Sequence, residues 1–343
     1  MGARFEARIR PVPDATETAG RKSRLRAMMA WGGTLALLGF LAATTDFSTA
    51  WAAFLNANLL LFVITLVVST FGTYLIDVAT VRVLLGRVGI RVGFREFLRV
   101  KGASYLLNIV NYNLALVMMA AVVKKRTDRG WGAAGSPFIL LNFVDLSVFG
   151  AFVLASVFAG QSPFDVPATI AVTVFAAGAV AAPPILCGIA RLHRMPGFLG
   201  KVFGHDLLAA FRHLSFRSIP VVMLARSALI LAYAVMNWAF LKSFGADIPI
   251  PKILVFMPIL SLIAFIPISV GGLGSTQVVM REFFGPYVTA AIALTAADRT
   301  SVIDAYSTAS IVSTMLLRVG IGLLCLPWVS RVMAESRGDA VAS

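Results

Sequence analysis

A group of glycines inside an apolar segment is the part of this sequence best suited to bind a ligand. Gly271, Gly272 and Gly274 follow two prolines, and Ser275 and Thr276 come directly after them. Glycine permits close approach of the backbone, and the hydroxyls can cap the first turn of a helix. A helix start presents free N–H groups and the positive end of the helix dipole, which favour an anionic group. The motif therefore predicts an anion-binding half-helix start; the alternative is a tight turn that only lets two half-helices pack.

Five charged side chains lie inside or beside apolar runs. Arg281 would either bind an anionic ligand, with Glu282 tuning or gating it, or snorkel to water at an interface. Asp145 is a candidate proton carrier or the partner of a base, because a carboxylate within an apolar run needs a function or a counterion. Arg226 is a weaker candidate, since it lies near enough to the end of its run to snorkel. Asp77 ends a stripe of small polar residues on one helix face, a pattern more typical of helix packing.

A run of asparagines marks a second candidate site. Asn108, Asn111 and Asn113 lie in the middle of the apolar run 103–123, where polar groups need a partner or water. Four basic residues follow the run: Lys124, Lys125, Arg126 and Arg129. A full crossing would place these bases outside, against the positive-inside rule. We therefore favour a re-entrant segment that turns at the asparagines; the alternative is an ordinary span with asparagines between helices.

Composition places the chain among membrane proteins. Hydrophobic residues make up 59% of it, charged residues 13%, and the mean hydropathy is +0.86. The formal net charge of +14 comes from bases between apolar runs, which indicates a polytopic protein beside an anionic leaflet and argues against nucleic-acid binding. Cys187 and Cys325 belong to no CxxC pair and indicate packing.

No pattern in the sequence indicates an enzyme, a metal site or a cofactor. The three histidines lack the i, i+4 spacing of a helical metal site. No Walker A, dinucleotide-binding or Ser-His-Asp pattern is present. We therefore predict a protein that is not an enzyme, needs no cofactor and holds no metal.

Hydropathy and charge together predict an all-α polytopic protein. We expect six full spans and two broken segments, with a transmembrane domain over 27–329; the spans are 27–44, 57–77, 137–159, 166–190, 219–244 and 302–328. The broken segments, 103–123 and 251–284, would enter from opposite faces, as an inverted-topology repeat produces. Should both cross fully, the count becomes eight.

The same analysis predicts how the chain is placed in its membrane. Residues 1–26 and 330–343 form basic tails, and residues 205–217 carry an apolar stripe suited to a short interfacial helix. We expect the plasma (inner) membrane as location, with both termini cytoplasmic.

Two motifs are similar to those of a known family. The run PISVGGLGSTQ at 267–277 and the run VRVLL at 81–85 resemble elements of the flippase-like integral membrane family that includes the lysylphosphatidylglycerol synthase transmembrane region. The family commonly has Arg-Glu directly after GGLG, where this chain has Ser275 and Thr276. It often has a Leu-Pro-Gly turn where this chain has 108–113. The resemblance therefore places the chain on a divergent branch.

The resemblance implies lipid transport. We expect a flippase, a secondary transporter that moves an anionic or polyprenyl-linked lipid headgroup between leaflets, with the headgroup held between Asn108–Asn113 and Gly271–Thr276. The alternative is a non-transporting membrane partner that presents lipid to a separate synthase or glycosyltransferase. Family members that make aminoacyl lipids carry a soluble synthase domain after the membrane part. This chain ends soon after its last predicted span, so the resemblance implies no catalytic domain.

Overall fold

The chain is built from helices. The computed structural model describes residues 47–110, 112–127, 129–160, 166–194, 204–265, 275–288 and 296–339. In chain order the α-helices in these ranges are α1 (Phe47–Asn56), α2 (Leu59–Arg87), α3 (Phe94–Val110), α4 (Tyr112–Thr127), α5 (Trp131–Phe158), α6 (Val166–Ala190), α7 (Ala209–His213), α8 (Ser218–Ser243), α9 (Ile250–Phe265), α10 (Ser275–Phe284) and α11 (Ala296–Asp339). Within the described ranges there is no β-strand, and one antiparallel bridge joins Ala246 to Val288.

Five of these helices are long and apolar enough to cross a membrane. They are Leu59–Arg87, Trp131–Phe158, Thr169–Ala190, Ser218–Ser243 and Arg299–Val332. No more than 56% of the most apolar stretch of any of them is buried inside the protein, so much of each can face lipid. The prediction of an all-α polytopic membrane protein is confirmed, and five of the six predicted full spans coincide with these helices. The other predicted span, 27–44, lies outside the described residues.

The outward faces of the long helices are apolar. Leu60, Leu224 and Leu324 expose 73%, 75% and 84% of their surface. Side chains of this kind are unfavourable in water over so large a surface. Lipid is the solvent that suits them.

Helices α3 and α4 form a hairpin that breaks at the predicted asparagine run. The two helices pack against each other, and Glu96 near the start of α3 pairs with Arg126 near the end of α4 at 2.5 Å. Arg129 donates to the carbonyl of Gly89, just beyond the end of α2. Both ends of this first hairpin therefore lie at the C-terminal end of α2.

Helices α9 and α10 form a second pair with both ends together. The rings of Phe256 in α9 and Phe283 in α10 stack with centroids 4.5 Å apart. The bridge between Ala246 and Val288 joins the residues that precede α9 and follow α10. This end lies at the N-terminal end of α2, because the Asn58 N–H donates to the carbonyl of Ser243 at 2.8 Å. The two hairpins thus open at opposite ends of the bundle; their depth in a membrane stays a prediction.

Each hairpin has its own apolar core. The first core gathers residues such as Leu84 of α2, Phe97 of α3 and Met119 of α4, all almost fully buried. The second gathers Phe256 of α9 and Phe284 of α10 with Tyr306 of α11. This division gives the two ends of the molecule separate packing units around α2, α8 and α11.

The segment 205–217 is only partly a helix. It contains a short 3-10 turn, Asp206–Leu208, followed by α7. Phe211 and Leu214 of its apolar stripe are fully buried in the protein, and the Ala210 N–H donates to the Ser136 hydroxyl of α5 at 2.9 Å. Half of the predicted stripe thus packs on α5 and its neighbours; contact of the segment with lipid headgroups stays a prediction.

Candidate functional site

Four charged side chains meet inside the bundle beside the first hairpin. The guanidinium of Arg226 in α8 donates to both carboxylate oxygens of Asp145 in α5, at 2.6 and 2.8 Å. It also donates to Asp77 Oδ1 in α2 at 2.5 Å. The other oxygen of Asp77 lies 2.7 Å from the Lys101 ammonium of α3. We call Asp77, Lys101, Asp145 and Arg226 the buried ion cluster.

The buried ion cluster is enclosed and balanced. The exposed fraction of each of its side chains is 10% or less. Two cations and two carboxylates leave no net charge, so each buried charge has a counterion that offsets part of the cost of leaving water. The Thr80 hydroxyl accepts a further bond from Arg226 at 3.0 Å. The cluster therefore ties α2, α5 and α8 to the hairpin through Lys101.

This arrangement bears on the interpretations that the sequence left open. Asp145 is the partner of a base, Arg226, and its role as a proton carrier stays a prediction. The snorkelling interpretation of Arg226 is wrong, because its side chain is 5% exposed and paired on both sides. Asp77 is more than a packing residue, since it bridges Arg226 and Lys101. Lys101 was missed: it directly precedes an apolar run and resembles the loop bases before it.

A second ion pair lies beside the second hairpin. Arg281 of α10 donates to both oxygens of Asp304 in α11, each at 2.6 Å. The Arg281 side chain is 10% exposed, which argues against the alternative that it snorkels. One turn earlier in α10, the Gln277 amide donates to the Thr308 hydroxyl at 2.9 Å. The Gln277 carbonyl oxygen is buried and has no hydrogen-bond partner among the described residues.

Some of the other predicted site residues lie within the described ranges and some lie outside them. Asn108 lies near the end of α3, half-buried, whereas Asn111 lies outside the described residues. Helix α10 begins at Ser275, where the motif predicts a half-helix start. Thr276 follows in its first turn and is half-buried. Glu282 is exposed, although it is the neighbour of Arg281. The three glycines Gly271, Gly272 and Gly274 lie outside the described residues.

An apolar groove lies on the side of α5 that faces α6. It has a volume of about 330 Å³ and lies between α5, α6 and α9. Leu146, Phe149, Pro258 and Ile259 are among its lining residues, and Leu146 directly follows Asp145 in the sequence. A groove with this lining suits a hydrocarbon chain. Among the described residues no group of three His, Cys, Asp or Glu side chains could hold a metal ion.

Comparison with known proteins identifies the family. No curated protein and no solved structure matches the chain. The family model described as the lysylphosphatidylglycerol synthase TM region matches residues 27–328, which includes both hairpins, the buried ion cluster and the Arg281–Asp304 pair. The chain therefore belongs to the family of the lysylphosphatidylglycerol synthase transmembrane region.

Proposed function

We propose that this membrane protein is a flippase-type secondary transporter that moves a lipid with an anionic or polyprenyl-linked headgroup between leaflets. The observation that carries the proposal is the pair of hairpins that open at opposite ends of the bundle. Each contributes one buried cation, Lys101 or Arg281, to an aspartate on a long helix. Transporters commonly place such broken helices around a central substrate site.

The two ion pairs give the hairpins a means of moving in turn. Separation of Lys101 from Asp77 would release the first hairpin and leave Arg226 as the remaining counterion of Asp77 and Asp145. Separation of Arg281 from Asp304 would release the second hairpin at the other end. Because a lone buried charge is costly, an anionic headgroup that replaces the aspartate would favour each separation. The headgroup would thus be exposed first to one face and then to the other.

The remaining predicted residues fit this scheme as ligands. The helix start at Ser275 and Thr276 would bind a phosphate with the backbone of Gly271, Gly272 and Gly274. The turn at Asn108 and Asn111 would offer side-chain amides at the tip of the first hairpin. The apolar groove beside α5 would accept part of a hydrocarbon tail.

A proton gradient is the driving force that the buried carboxylates suit best. Asp145 is held by two hydrogen bonds from Arg226. It would take up a proton only after this pair separates, so proton uptake would be linked to motion of α8 against α5. Glu282, exposed beside Arg281, would act as an outer gate for the headgroup.

The test is translocation of fluorescent phosphatidylglycerol in proteoliposomes. The double variant Gly272→Val, Gly274→Val should lose translocation while it still inserts, because the added side chains would block close approach of the headgroup to the backbone. Gly178→Val is the matched control: Gly178 is exposed on α6, and an added Cβ meets nothing within 4 Å. Undiminished translocation by the double variant would exclude the glycine turn as the site. Lipid binding without translocation by the unmodified protein would instead support a partner that presents lipid to a separate enzyme.

A further inference from the structure

Arg318 is a charged residue in the middle of a membrane span that the buried ion cluster does not include. It belongs to α11, within the apolar stretch Arg299–Val332. The side chain is half-buried and faces the first hairpin, since the Arg318 guanidinium lies 5.2 Å from the centre of the Tyr105 ring of α3. The Tyr233 side chain of α8 is its second polar neighbour.

No carboxylate among the described residues forms a salt bridge with Arg318. Asp77 is its electrostatic neighbour, but both oxygens of Asp77 are already bound by Lys101 and Arg226. Arginine in the hydrocarbon region is costly and is normally paired or functional. A cation–π contact with one tyrosine compensates only part of that cost.

The charges around the first hairpin therefore do not balance once Arg318 is included. Lys101, Arg226 and Arg318 face only Asp77 and Asp145, which leaves one positive charge in excess among the described residues at this level. A bound anion would remove this excess.

The position of Arg318 indicates what kind of anion would bind. Helices α3 and α11 are in tight contact one turn further on, where a Cβ added to Gly322 would lie 2.6 Å from Leu106 Cγ. This contact bounds the surroundings of the guanidinium on the side of Gly322. Asn108 is three residues beyond Tyr105 and shares its helix face. The helices around Arg318 have lipid-facing surfaces. A ligand at this depth therefore reaches the guanidinium most readily as part of a lipid.

We propose that Arg318, with the phenols of Tyr105 and Tyr233, binds the phosphate of an anionic lipid headgroup between α3, α8 and α11. A guanidinium suits this ligand because its planar set of donors can contact two phosphate oxygens at once. The two phenols would donate to the remaining oxygens. The inference deepens the proposed transport function, on which it rests, by assigning the phosphate contact to a residue outside the glycine turn.

Lipid binding to the full chain in detergent, measured by native mass spectrometry, tests this site without requiring transport. Phosphatidylglycerol is the probe, and diacylglycerol of the same chain length lacks the phosphate. Arg318→Gln should lower the affinity for phosphatidylglycerol about tenfold or more, as loss of a charged hydrogen bond does, and leave that for diacylglycerol unchanged. Arg318→Lys should keep part of the affinity, and Tyr233→Phe should lower it a few-fold.

The control is Arg217→Gln, which removes an exposed arginine just before α8 and should not change the affinity. Equal phosphatidylglycerol affinity of Arg318→Gln and the unmodified protein would overturn the inference. The proposed transport function would still be tested separately, by translocation in the Gly272→Val, Gly274→Val variant. Loss of affinity in Arg318→Gln would support the site even if the unmodified protein fails to translocate lipid. Should Arg318→Gln not fold, Tyr233→Phe decides: unchanged affinity overturns the site, and weaker affinity supports it.

Discussion

Arg226 holds the buried ion cluster together because an arginine can serve two carboxylates at once. Its Nε and Nη2 donate to Asp145, while Nη1 donates to Asp77 and Thr80. A lysine offers one compact ammonium and could not reproduce this fork. Removal of the guanidinium would leave two carboxylates buried with only Lys101 as counterion.

Replacement of Arg226 should therefore destabilise the protein strongly. We expect Arg226→Gln to lower the free energy of unfolding by about 3–5 kcal/mol, the usual cost of an uncompensated buried charge. Arg226→Lys should lose less, since it keeps the charge. Denaturant unfolding in detergent micelles measures the effect. Arg217→Gln, nine positions earlier and exposed, should stay within about 0.5 kcal/mol of the unmodified protein. An Arg226→Gln variant as stable as this control would show that the cluster contributes nothing to folding.

At the scale of elements, close helix contacts determine how the bundle packs. Gly150 of α5 faces Ala176 of α6, and a Cβ built on Gly150 would lie 2.6 Å from the Ala176 carbonyl oxygen. Backbone cannot yield as a flexible side chain can. Small residues at such points let helices approach closely in a membrane, where packing replaces the hydrophobic effect as the driving force. This contact also borders the apolar groove, which Gly150 and Ala176 both line.

A single methyl group at Gly150 should thus separate α5 from α6. We expect Gly150→Ala to destabilise the protein by about 1–3 kcal/mol, the range for overpacked interiors. Gly178→Ala on α6 adds the same methyl group to an open surface and should leave stability unchanged or slightly raised. Melting temperatures of the two variants in the same detergent give the comparison. Similar melting temperatures would mean that the helices are free to move apart at no cost.

At the scale of the whole molecule, the sequence predicts where the helices lie along the chain far better than which side chains pair between them. Hydropathy located the five described spans because a span needs a long apolar run whatever it packs against. The break at the asparagines was visible for the same reason, since polar residues and misplaced bases are local signals. The pairing of Asp77 with Arg226 joins residues 149 positions apart, and nothing local specifies it. The sequence pattern did not mark Lys101, Asp304 and Arg318 as candidates. A single charge beside an apolar run indicates a partner only when the packing is known.

The distribution of charge over the two ends of the bundle predicts how the molecule lies in its membrane. Arg87 and Arg126 lie at the end where the first hairpin opens, and both are exposed. Asp247 is exposed at the opposite end, between α8 and α9. An excess of bases holds a loop in the cytoplasm, so the first hairpin should open there and the second outside.

Single cysteines at these three positions test the orientation once Cys187 and Cys325 are replaced by alanine. With a membrane-impermeant maleimide on intact cells, Asp247→Cys should react, whereas Arg87→Cys and Arg126→Cys should react only after the cells are opened. Arg126→Cys breaks a partly exposed ion pair with Glu96 and a cation–π contact with Trp328. Each costs about 1 kcal/mol or less at such a site, so the fold should persist. Labelling of Arg87→Cys and Arg126→Cys from different sides would mean that the α3–α4 segment crosses the membrane. Transport by two opposed hairpins would then lose its structural basis, because only hairpins that open to opposite faces can expose one headgroup to each leaflet in turn.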